Sequence, residues 1–280
     1  MKKILLPTDF SDNAWNAITY ALELFKNKTC CFTLLNTYTP MIYQVEHLQS
    51  SSVPLQVLDA VKQTSKKKLE NLQQKITTEF NNPKHTFVQL SSFNTLVAEI
   101  DELYRNNAID IIVMGTKGAT GLKEVLFGSN TVHVIKKAKC PVLAIPSNFT
   151  FEAPHEILFP SDYHIEFQDK HLESILDIAD DYGARVHFLN VVYDNSRSEF
   201  QEENKRKLVT YFKSITHLFH DVKNKKVQEA INDFQIKLKI NLLVMLHNKH
   251  SFVEDIFFKS NIKQIGFHLN VPFLVIPSEF

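Results

Sequence analysis

The sequence lacks an excess of charge of either sign. Its 280 residues contain 31 Lys and Arg and 31 Asp and Glu, so the formal net charge at pH 7 is zero. Proteins that bind DNA or RNA through the phosphate backbone carry a strong basic excess. The charge balance therefore argues against nucleic acid as a partner.

Cysteine is scarce, and long hydrophobic runs are missing. The three cysteines, Cys30, Cys31 and Cys140, are an odd number without the spacing of a disulfide framework. No stretch approaches the roughly 20 apolar residues of a membrane-spanning helix. The apolar start Ile4–Leu6 ends at Pro7, which is too early for a secretion signal. These absences predict a cytoplasmic protein in a reducing compartment, without a membrane as partner.

Two known phosphate-binding motifs are also absent. A P-loop ends in Gly-Lys-Ser or Gly-Lys-Thr, and the stretch Gly115–Gly121 contains neither. ATP pyrophosphatases and related ligases carry a glycine-rich turn after their first strand, whereas the turn Pro7–Ser11 has no glycine. The sequence thus gives no support to these enzyme classes.

What the first half does contain is an alternation of strand and helix patterns. Apolar runs typical of buried parallel strands alternate with stretches whose apolar residues recur at helical spacing. This order predicts an open, doubly wound α/β domain with a five-stranded parallel sheet and a ligand site at the carboxyl ends of its strands. Between the second strand and the next helix, residues 38–55 fit neither pattern and are predicted to form a long loop. The predicted strands are 2–7, 30–37, 85–90, 109–114 and 141–146, and the predicted helices start at Ser11, cover 56–80 and 94–106, and follow Ser129.

The second half of the sequence repeats the first. Residues 4–10 align with 157–163 at an offset of 153, and residues 141–146 align with 272–277 at an offset of 131. The smaller second offset means that the first half carries extra residues between its second and fourth strands. We therefore predict two tandem domains of the same five-stranded α/β type. Their predicted bounds are 1–147 and 154–280.

Three glycines and a serine follow the fourth strand at a spacing that suits a phosphate. Gly115 is followed after two residues by Gly118 and after nine more by Gly128 and Ser129. Glycine lets the backbone approach an anion closely and adopt the positive φ angles that such loops commonly use. A helix that begins here would add unpaired amides and the positive end of its dipole. The alternative interpretation is a tight turn followed by an ordinary serine N-cap.

These residues resemble a known family. The stretch Gly115–Ser129 matches the pattern G-2x-G-9x-G-S of the ATP-binding universal stress proteins, and Ile4–Ser11 is similar to their first strand and the turn after it. The resemblance implies an ATP-binding regulatory module of the stress response, with ADP or AMP as related ligands and Mg²⁺ carried by the nucleotide.

The resemblance also implies which residues form the site. Asp9 would contact the adenosine, the backbone at Thr37 would read the adenine edge, and Met114 would pack near the base. The phosphates would be held by Gly115, Gly118, Gly128, Ser129 and Asn130.

The second domain has lost the glycines of this pattern. At the offset of 131, the three glycines become Leu246, Lys249 and Lys259, while the serine persists as Ser260. Each replacement places a side chain where the backbone would have to wrap a phosphate. We therefore predict a degenerate second domain and one nucleotide site per chain.

No catalytic or metal-ligating residue is predicted. No general base stands out beside the expected phosphates. His247, His250 and His268 suggest a metal at first sight, but no Cys or carboxylate stands at ligand spacing from them, so solvated or capping histidines are favoured.

The resemblance further implies how the chain associates. Universal stress proteins dimerise through their fifth strand, which implies that 142–145 pairs with 273–276 and that the two domains form a pseudo-dimer. A homodimer of the whole chain is also compatible with the sequence. The alternative functions are a nucleotide-free interaction scaffold and a slow ATPase or self-phosphorylating protein.

Overall fold

The protein folds into two α/β units. The computed structural model describes residues 1–38, 55–116, 128–147, 149–192, 197–247 and 270–278. The chain divides into the units Met1–Phe151 and Glu152–Phe280.

The first unit contains five strands and four helices in its described residues. They are β1 (Lys2–Pro7), α1 (Asp12–Leu24), β2 (Cys30–Thr37), α2 (Leu55–Phe80), β3 (His85–Ser92), α3 (Leu96–Arg105), β4 (Ile111–Gly115), α4 (Ser129–Lys137) and β5 (Val142–Ile145).

The sheet of the first unit is parallel throughout, in the order β3-β2-β1-β4-β5. The chain moves outward from β1 to β3 and then returns to the other side of β1 with β4. The strand order therefore reverses between β1 and β4, which is where open α/β sheets bind their ligands. This arrangement confirms the predicted fold class.

The central strand is apolar on both faces. Ile4, Leu5 and Leu6 of β1 are fully buried, as expected for a parallel strand covered by helices on both sides. The α1 helix begins after Ser11, whose hydroxyl accepts a hydrogen bond from the Ala14 amide at 3.3 Å. The predicted start of this helix is confirmed.

Three predicted strands have different bounds in the structure, one of them β5, which covers Val142–Ile145 rather than 141–146. β3 continues to Ser92, two residues beyond the predicted end, because its pairing with β2 extends to Thr37. β4 runs from Ile111 to Gly115 rather than from 109 to 114. The first glycine of the predicted loop is therefore the last residue of the strand.

The second unit contains the following described elements. They are β6 (Glu156–Pro160), α5 (Asp169–Tyr182), β7 (Arg185–Val192), α6 (Glu199–Tyr211), β8 (His217–Lys223), α7 (Val227–Leu238), β9 (Leu242–His247) and β10 (Phe273–Pro277).

Its five strands are also parallel, in the order β10-β9-β6-β7-β8. Counted in chain order within each unit, this is the same strand order as in the first unit. The helix after the second strand differs, since α2 has 26 residues and α6 has 13. Among the residues that the structure describes, no helix combines the length and hydropathy needed to cross a membrane.

A buried histidine anchors the start of α5. His171 is 1% exposed. Its Nδ1 accepts a hydrogen bond from the Gln168 amide at 3.1 Å, and its Nε2 therefore carries the proton and donates to the Ser278 carbonyl oxygen at 3.1 Å. Burial lowers the pKa of His171, and the bond to Ser278 opposes this shift in part. The native fold therefore contains the His171 ring in its neutral form.

We expect His171 to make the second unit less stable in acid. Because its pKa is lowered in the native state, the unfolded chain binds the proton first as the pH falls below the ordinary histidine value of about 6.5. The free energy of unfolding should therefore decrease with falling pH, and less so in His171→Gln. Urea unfolding at several pH values between about 5 and 7.5 measures this difference.

The exposed His155 offers the matched control for this experiment. His155→Gln should keep the pH dependence of the unsubstituted protein. An equal loss of stability in acid for His171→Gln and the unsubstituted chain would contradict the role given to His171.

Candidate functional site

The expected site residues lie at the carboxyl edge of the first sheet. Asp9 follows β1, Thr37 ends β2, and Gly115 ends β4. Since β1 is paired with both β2 and β4, these three chain segments meet at one edge.

The turn after β1 is held by short-range hydrogen bonds. The Asp9 carboxylate accepts bonds from the Ser11 amide at 3.0 Å and from the Ser11 hydroxyl at 2.5 Å. The Phe10 amide donates to Thr8 Oγ1 at 3.0 Å, and Phe10 has a positive φ of 65°. A non-glycine residue in this region is strained, and such strain is common at functional sites. The Asp9 side chain remains exposed while it caps the turn.

A chain of polar side chains connects this turn to α2. Asn36 Nδ2 donates to the Thr8 carbonyl oxygen at 2.7 Å. Ser65 of α2 donates to Asn36 Oδ1 at 2.8 Å, and Ser91 of β3 donates to Ser65 Oγ at 2.8 Å. Ser65 is buried. The position of the Asp9 turn thus depends on a side chain of the neighbouring strand and on a helix.

Strand register places Thr37 and Met114 on the same face of the sheet. Residues paired in parallel strands point to the same side, and side chains alternate along each strand. Leu35 is paired with Pro7, and Leu5 with Ile112. These four residues lie on one face of the sheet. Thr37 lies two residues beyond Leu35, and Met114 lies two residues beyond Ile112, so both side chains lie on that face. Met114 is buried there, as a residue that packs near a base would be.

Gly115 lies at a close contact that the sequence did not predict. Its φ is not positive, and among the described glycines only Gly183 has a positive φ, of 59°. A Cβ at position 115 would instead lie 2.9 Å from the backbone oxygen of Asn13. The close approach of α1 to the end of β4 therefore excludes a side chain at this position.

The start of α4 is bonded to the end of β4. The Gly128 amide donates to the Thr116 carbonyl oxygen at 2.6 Å, and Thr131 Oγ1 donates to the Gly115 carbonyl oxygen at 2.9 Å. Gly128 is the N-cap, with φ −67° and ψ 153°, and α4 begins at Ser129. The alternative of a serine N-cap at Ser129 is therefore wrong.

This geometry leaves backbone amide donors at the start of α4 close to the edge of the sheet. The Val132 amide bonds to the Gly128 carbonyl oxygen as the first helical bond of α4. The amides of the residues before it, Ser129 and Asn130 among them, have no carbonyl of the helix to bind. They form the positive end of the helix dipole, which favours an anion. Gly118, the remaining residue of the expected site, lies outside the described residues.

The second unit repeats the turn and adds a hydrogen bond from a helix to it. The Asn190 side chain donates to the Ser161 carbonyl oxygen at 2.8 Å, and Asp162 Oδ1 accepts from the His164 amide at 3.0 Å, as their counterparts in the first unit do. However, Gln201 of α6 donates to the Asp162 carbonyl oxygen at 2.8 Å. The α6 helix of the protein thus already bonds one hydrogen-bond acceptor at the carboxyl edge of the second sheet.

Other side chains also connect α6 to this end of the second sheet. Asn204 of α6 donates to the Tyr163 carbonyl oxygen at 2.9 Å. Arg197 pairs with Glu202 at 3.1 Å and with Asp221, and so links the start of α6 to β8. The counterpart of Gly115 is Leu246, whose side chain is buried. The predicted replacements Lys249 and Lys259 lie outside the described residues.

Thiol and metal chemistry receive no support from the described residues. Burial raises the pKa of Cys30 to about 11 and that of Cys140 to about 12, so both thiols stay protonated at neutral pH. No three His, Cys, Asp or Glu side chains of the described part of the chain are grouped as metal ligands. His250 and His268 lie outside that part.

Sequence reasoning missed the side chains that hold the site in place. Asn36 and Thr131 each bond a carbonyl oxygen at a strand end. The internal repeat carried a signal for the first, because Asn36 and Asn190 align at the same offset as their strands. The sequence carried no comparable signal for Thr131, since its partner lies across the loop.

The close approach of the Asn13 backbone to Gly115 leads to a prediction about the stability of the protein. Gly115→Ala should lower the free energy of unfolding by about 1–3 kcal/mol, because the new Cβ meets a backbone oxygen that cannot rotate away. Gly183→Ala is the comparison, since no atom lies within 4 Å of its Cβ and only the positive φ opposes the substitution. It should cost about 1 kcal/mol. Urea unfolding measures both, and a loss for Gly115→Ala below about 1 kcal/mol would contradict the close-approach argument.

Comparisons with known proteins agree with the fold. Residues 1–146 match the model of the universal stress protein family. A universal stress protein of Methanocaldococcus jannaschii is 30% identical over an alignment that covers 51% of this chain and 94% of that protein. One from Bacillus subtilis is 24% identical, with 51% of this chain and 97% of that protein covered.

A solved structure extends the likeness to both units. The crystal structure of a universal stress protein from Archaeoglobus fulgidus covers 98% of this chain and is itself covered to 95%, with a TM-score of 0.70. The sequence identity is 19%, so this likeness concerns the fold.

Proposed function

Because the chain belongs to the universal stress protein family, we propose that it is an ATP-binding regulatory module of the stress response. The nucleotide site lies in the first unit, with one nucleotide per chain. The observation that carries this proposal is the pair of hydrogen bonds that fixes the start of α4 against the end of β4. They place backbone amides where the strand order reverses, at the edge where such sheets bind ligands.

The phosphates bind at the start of α4. The backbone amides of Ser129 and Asn130 donate to phosphate oxygens, and the helix dipole adds a favourable potential. Gly128 and Gly115 border this place, and Gly118 contributes from the loop between them. Mg²⁺ enters with the nucleotide, since magnesium is commonly held by phosphates and few protein ligands.

The nucleoside lies toward β1 and β2. The exposed carboxylate of Asp9 accepts a hydrogen bond from the ribose, the backbone at Thr37 meets the edge of the base, and Met114 packs against its face. Asp9 already bonds Ser11, so the carboxylate is oriented before the ligand arrives. Preorganisation of this kind lowers the cost of binding.

The second unit, residues 154–280, is a degenerate copy of the domain and supports the first. Gln201 bonds the Asp162 carbonyl oxygen at its turn, and Leu246 stands in the place of Gly115. The pairing of 142–145 with 273–276 and the homodimer stay predictions from the resemblance.

A lysine at the N-cap of α4 tests the phosphate site. Gly128 has a φ of −67°, which any residue can adopt, so Gly128→Lys should fold. It copies the residue of the second half and should weaken ATP binding by about tenfold or more, because the side chain obstructs close approach to the amides. Isothermal titration calorimetry with Mg·ATP measures affinity and stoichiometry.

The control is Lys137→Ala, at the opposite end of the same helix. It should bind ATP as the unsubstituted protein does, at one nucleotide per chain. Absence of binding to the unsubstituted protein would refute the proposed function, two nucleotides per chain would refute the assignment to one unit, and equal binding by Gly128→Lys would refute the role of α4.

The two units provide a matched pair of aspartates with which the proposed contact to the nucleoside can be tested. Asp9 and Asp162 make the same bond to the amide two residues on, both at 3.0 Å. Asp9→Asn removes the charge of the proposed ribose acceptor and should weaken ATP binding by about tenfold, since hydrogen bonds to charged groups contribute about 1.5–3 kcal/mol. Asp162→Asn should leave the affinity unchanged. Similar losses in both variants would show that neither carboxylate contacts the ligand directly.

A further inference from the structure

A glutamate and two histidines of the second unit form a continuous chain of hydrogen bonds. His187 of β7 is the middle member. Its Nε2 lies 2.6 Å from Glu156 Oε2, and its Nδ1 lies 2.9 Å from Nε2 of His220 in β8. The His187 side chain is 2% exposed, whereas that of Glu156, at the start of β6, is 25% exposed. The chain therefore leads from a partly exposed carboxylate through a buried ring to a second ring.

The register of the strands explains why these three side chains meet. His187 is paired with Leu158 in β6 and with Leu218 in β8. Glu156 lies two residues before Leu158, and His220 lies two residues beyond Leu218. Because side chains alternate along a strand and paired residues share a face, all three polar side chains lie on the same face of the second sheet.

The partners of His187 determine where the protons of the neutral chain are. A carboxylate only accepts hydrogen bonds, so His187 Nε2 carries a proton and donates it to Glu156. Nδ1 of the neutral ring is then an acceptor, and His220 Nε2 is the donor that reaches it. Each histidine thus carries one proton, and both N–H groups point along the chain toward Glu156.

The chain can take up one further proton without losing a hydrogen bond. When a proton binds to Nδ1 of His220, the proton on His220 Nε2 can pass to His187 Nδ1. His187 is then an imidazolium that donates to Glu156 and to His220, and His220 is again neutral, with its proton on Nδ1. The positive charge lies beside the carboxylate, and the hydrogen bond between the two rings has reversed its direction.

Arg185 is the charged neighbour on the other side of Glu156. Its guanidinium lies 3.6 Å from Glu156 Oε1, but its side chain is 49% exposed, so solvent weakens its effect on the carboxylate. The second oxygen, Oε2, is the one that bonds His187. A negative charge at hydrogen-bonding distance favours the charged form of an imidazole. Glu156 therefore makes His187 the ring that holds the positive charge.

His220 is a poor place for a positive charge. Burial, the neighbouring His187 and Lys237 of α7 lower the pKa of His220, and Asp221 opposes this shift in part. If both rings were charged, the two nitrogens that face each other at 2.9 Å would both carry hydrogen, and their bond would be lost. The rings are stacked with centroids 5.2 Å apart, and Phe234 of α7 packs edge-on against His220 at 4.9 Å. The chain therefore accepts one proton and excludes a second.

We propose that Glu156, His187 and His220 form a pH-sensitive switch, which binds one proton in mild acid, places the charge on His187 and reverses the hydrogen bond between the two rings. The first unit has no equivalent chain, because Lys3 and Thr33 stand at the positions of Glu156 and His187. The switch is a property of the second unit alone, and it does not depend on the proposed nucleotide site.

NMR spectroscopy of the histidine rings in the full-length protein tests the switch. Long-range proton–nitrogen spectra distinguish a ring nitrogen that carries hydrogen from one that does not. As the pH falls from about 8 to about 5, both nitrogens of His187 should become protonated, while the single proton of His220 should move from Nε2 to Nδ1. A His220 ring that becomes charged before His187, or a His187 ring that stays neutral over this range, would overturn the proposal. This measurement needs no substitution.

Glu156→Gln tests the role of the carboxylate. Its side-chain oxygen can still accept the hydrogen bond from His187, but the negative charge is gone. The pH midpoint at which His187 becomes charged should fall by about one unit or more, because a close opposite charge shifts a titration by about 1–3 units. The control is Glu229→Gln, an exposed position of α7, which should leave the midpoint unchanged. An unchanged midpoint in Glu156→Gln, or an equal fall in both variants, would also overturn the proposal.

Discussion

The hydrogen bonds between the end of β4 and the start of α4 are the constraint on which the rest of the first unit depends. Gly128 and Thr131 reach back to the carbonyl oxygens of Thr116 and Gly115, so the two ends of the intervening loop are fixed together. The start of α4 therefore lies at the sheet edge instead of some distance from it. Backbone amides and a helix dipole are useful to an anion only if they are held at the place where the anion binds.

The same edge is stabilised from the other side by α1 and α2. Gly115 lies so close to Asn13 that a side chain is excluded, and Asn36 fixes the carbonyl oxygen of Thr8 with the help of Ser65. Each of these contacts acts on backbone at the end of a strand. The site is thus supported by polar contacts to the backbone, while the apolar core beneath it provides the stability of the sheet.

Comparison of the two units separates what both copies of the fold share from what the first unit alone has. Both units keep the strand order, the bond from Asn36 or Asn190 and the positive φ at Phe10 or Tyr163, so these features serve the fold. Only the first unit has a glycine at the end of its fourth strand. In the second unit, Gln201 of α6 bonds the Asp162 carbonyl oxygen, an interaction within the protein at the carboxyl edge of the sheet.

The sequence by itself determined the α/β class through the alternation of elements, and it indicated the candidate segments at positions 9, 37 and 115. Those features follow from local patterns, because apolar periodicity and chain order leave few ways to build a parallel sheet. It predicted the helix start at Gly128 and Ser129. It gave no indication of the contact between Gly115 and Asn13, of Thr131 or of Glu99. Only the tertiary structure decided these, since the closeness of Asn13 to Gly115 and the burial of Glu99 beside Ser92 arise when distant segments pack together. Packing distances of this kind depend on how elements pack in three dimensions, which no local pattern of residues encodes.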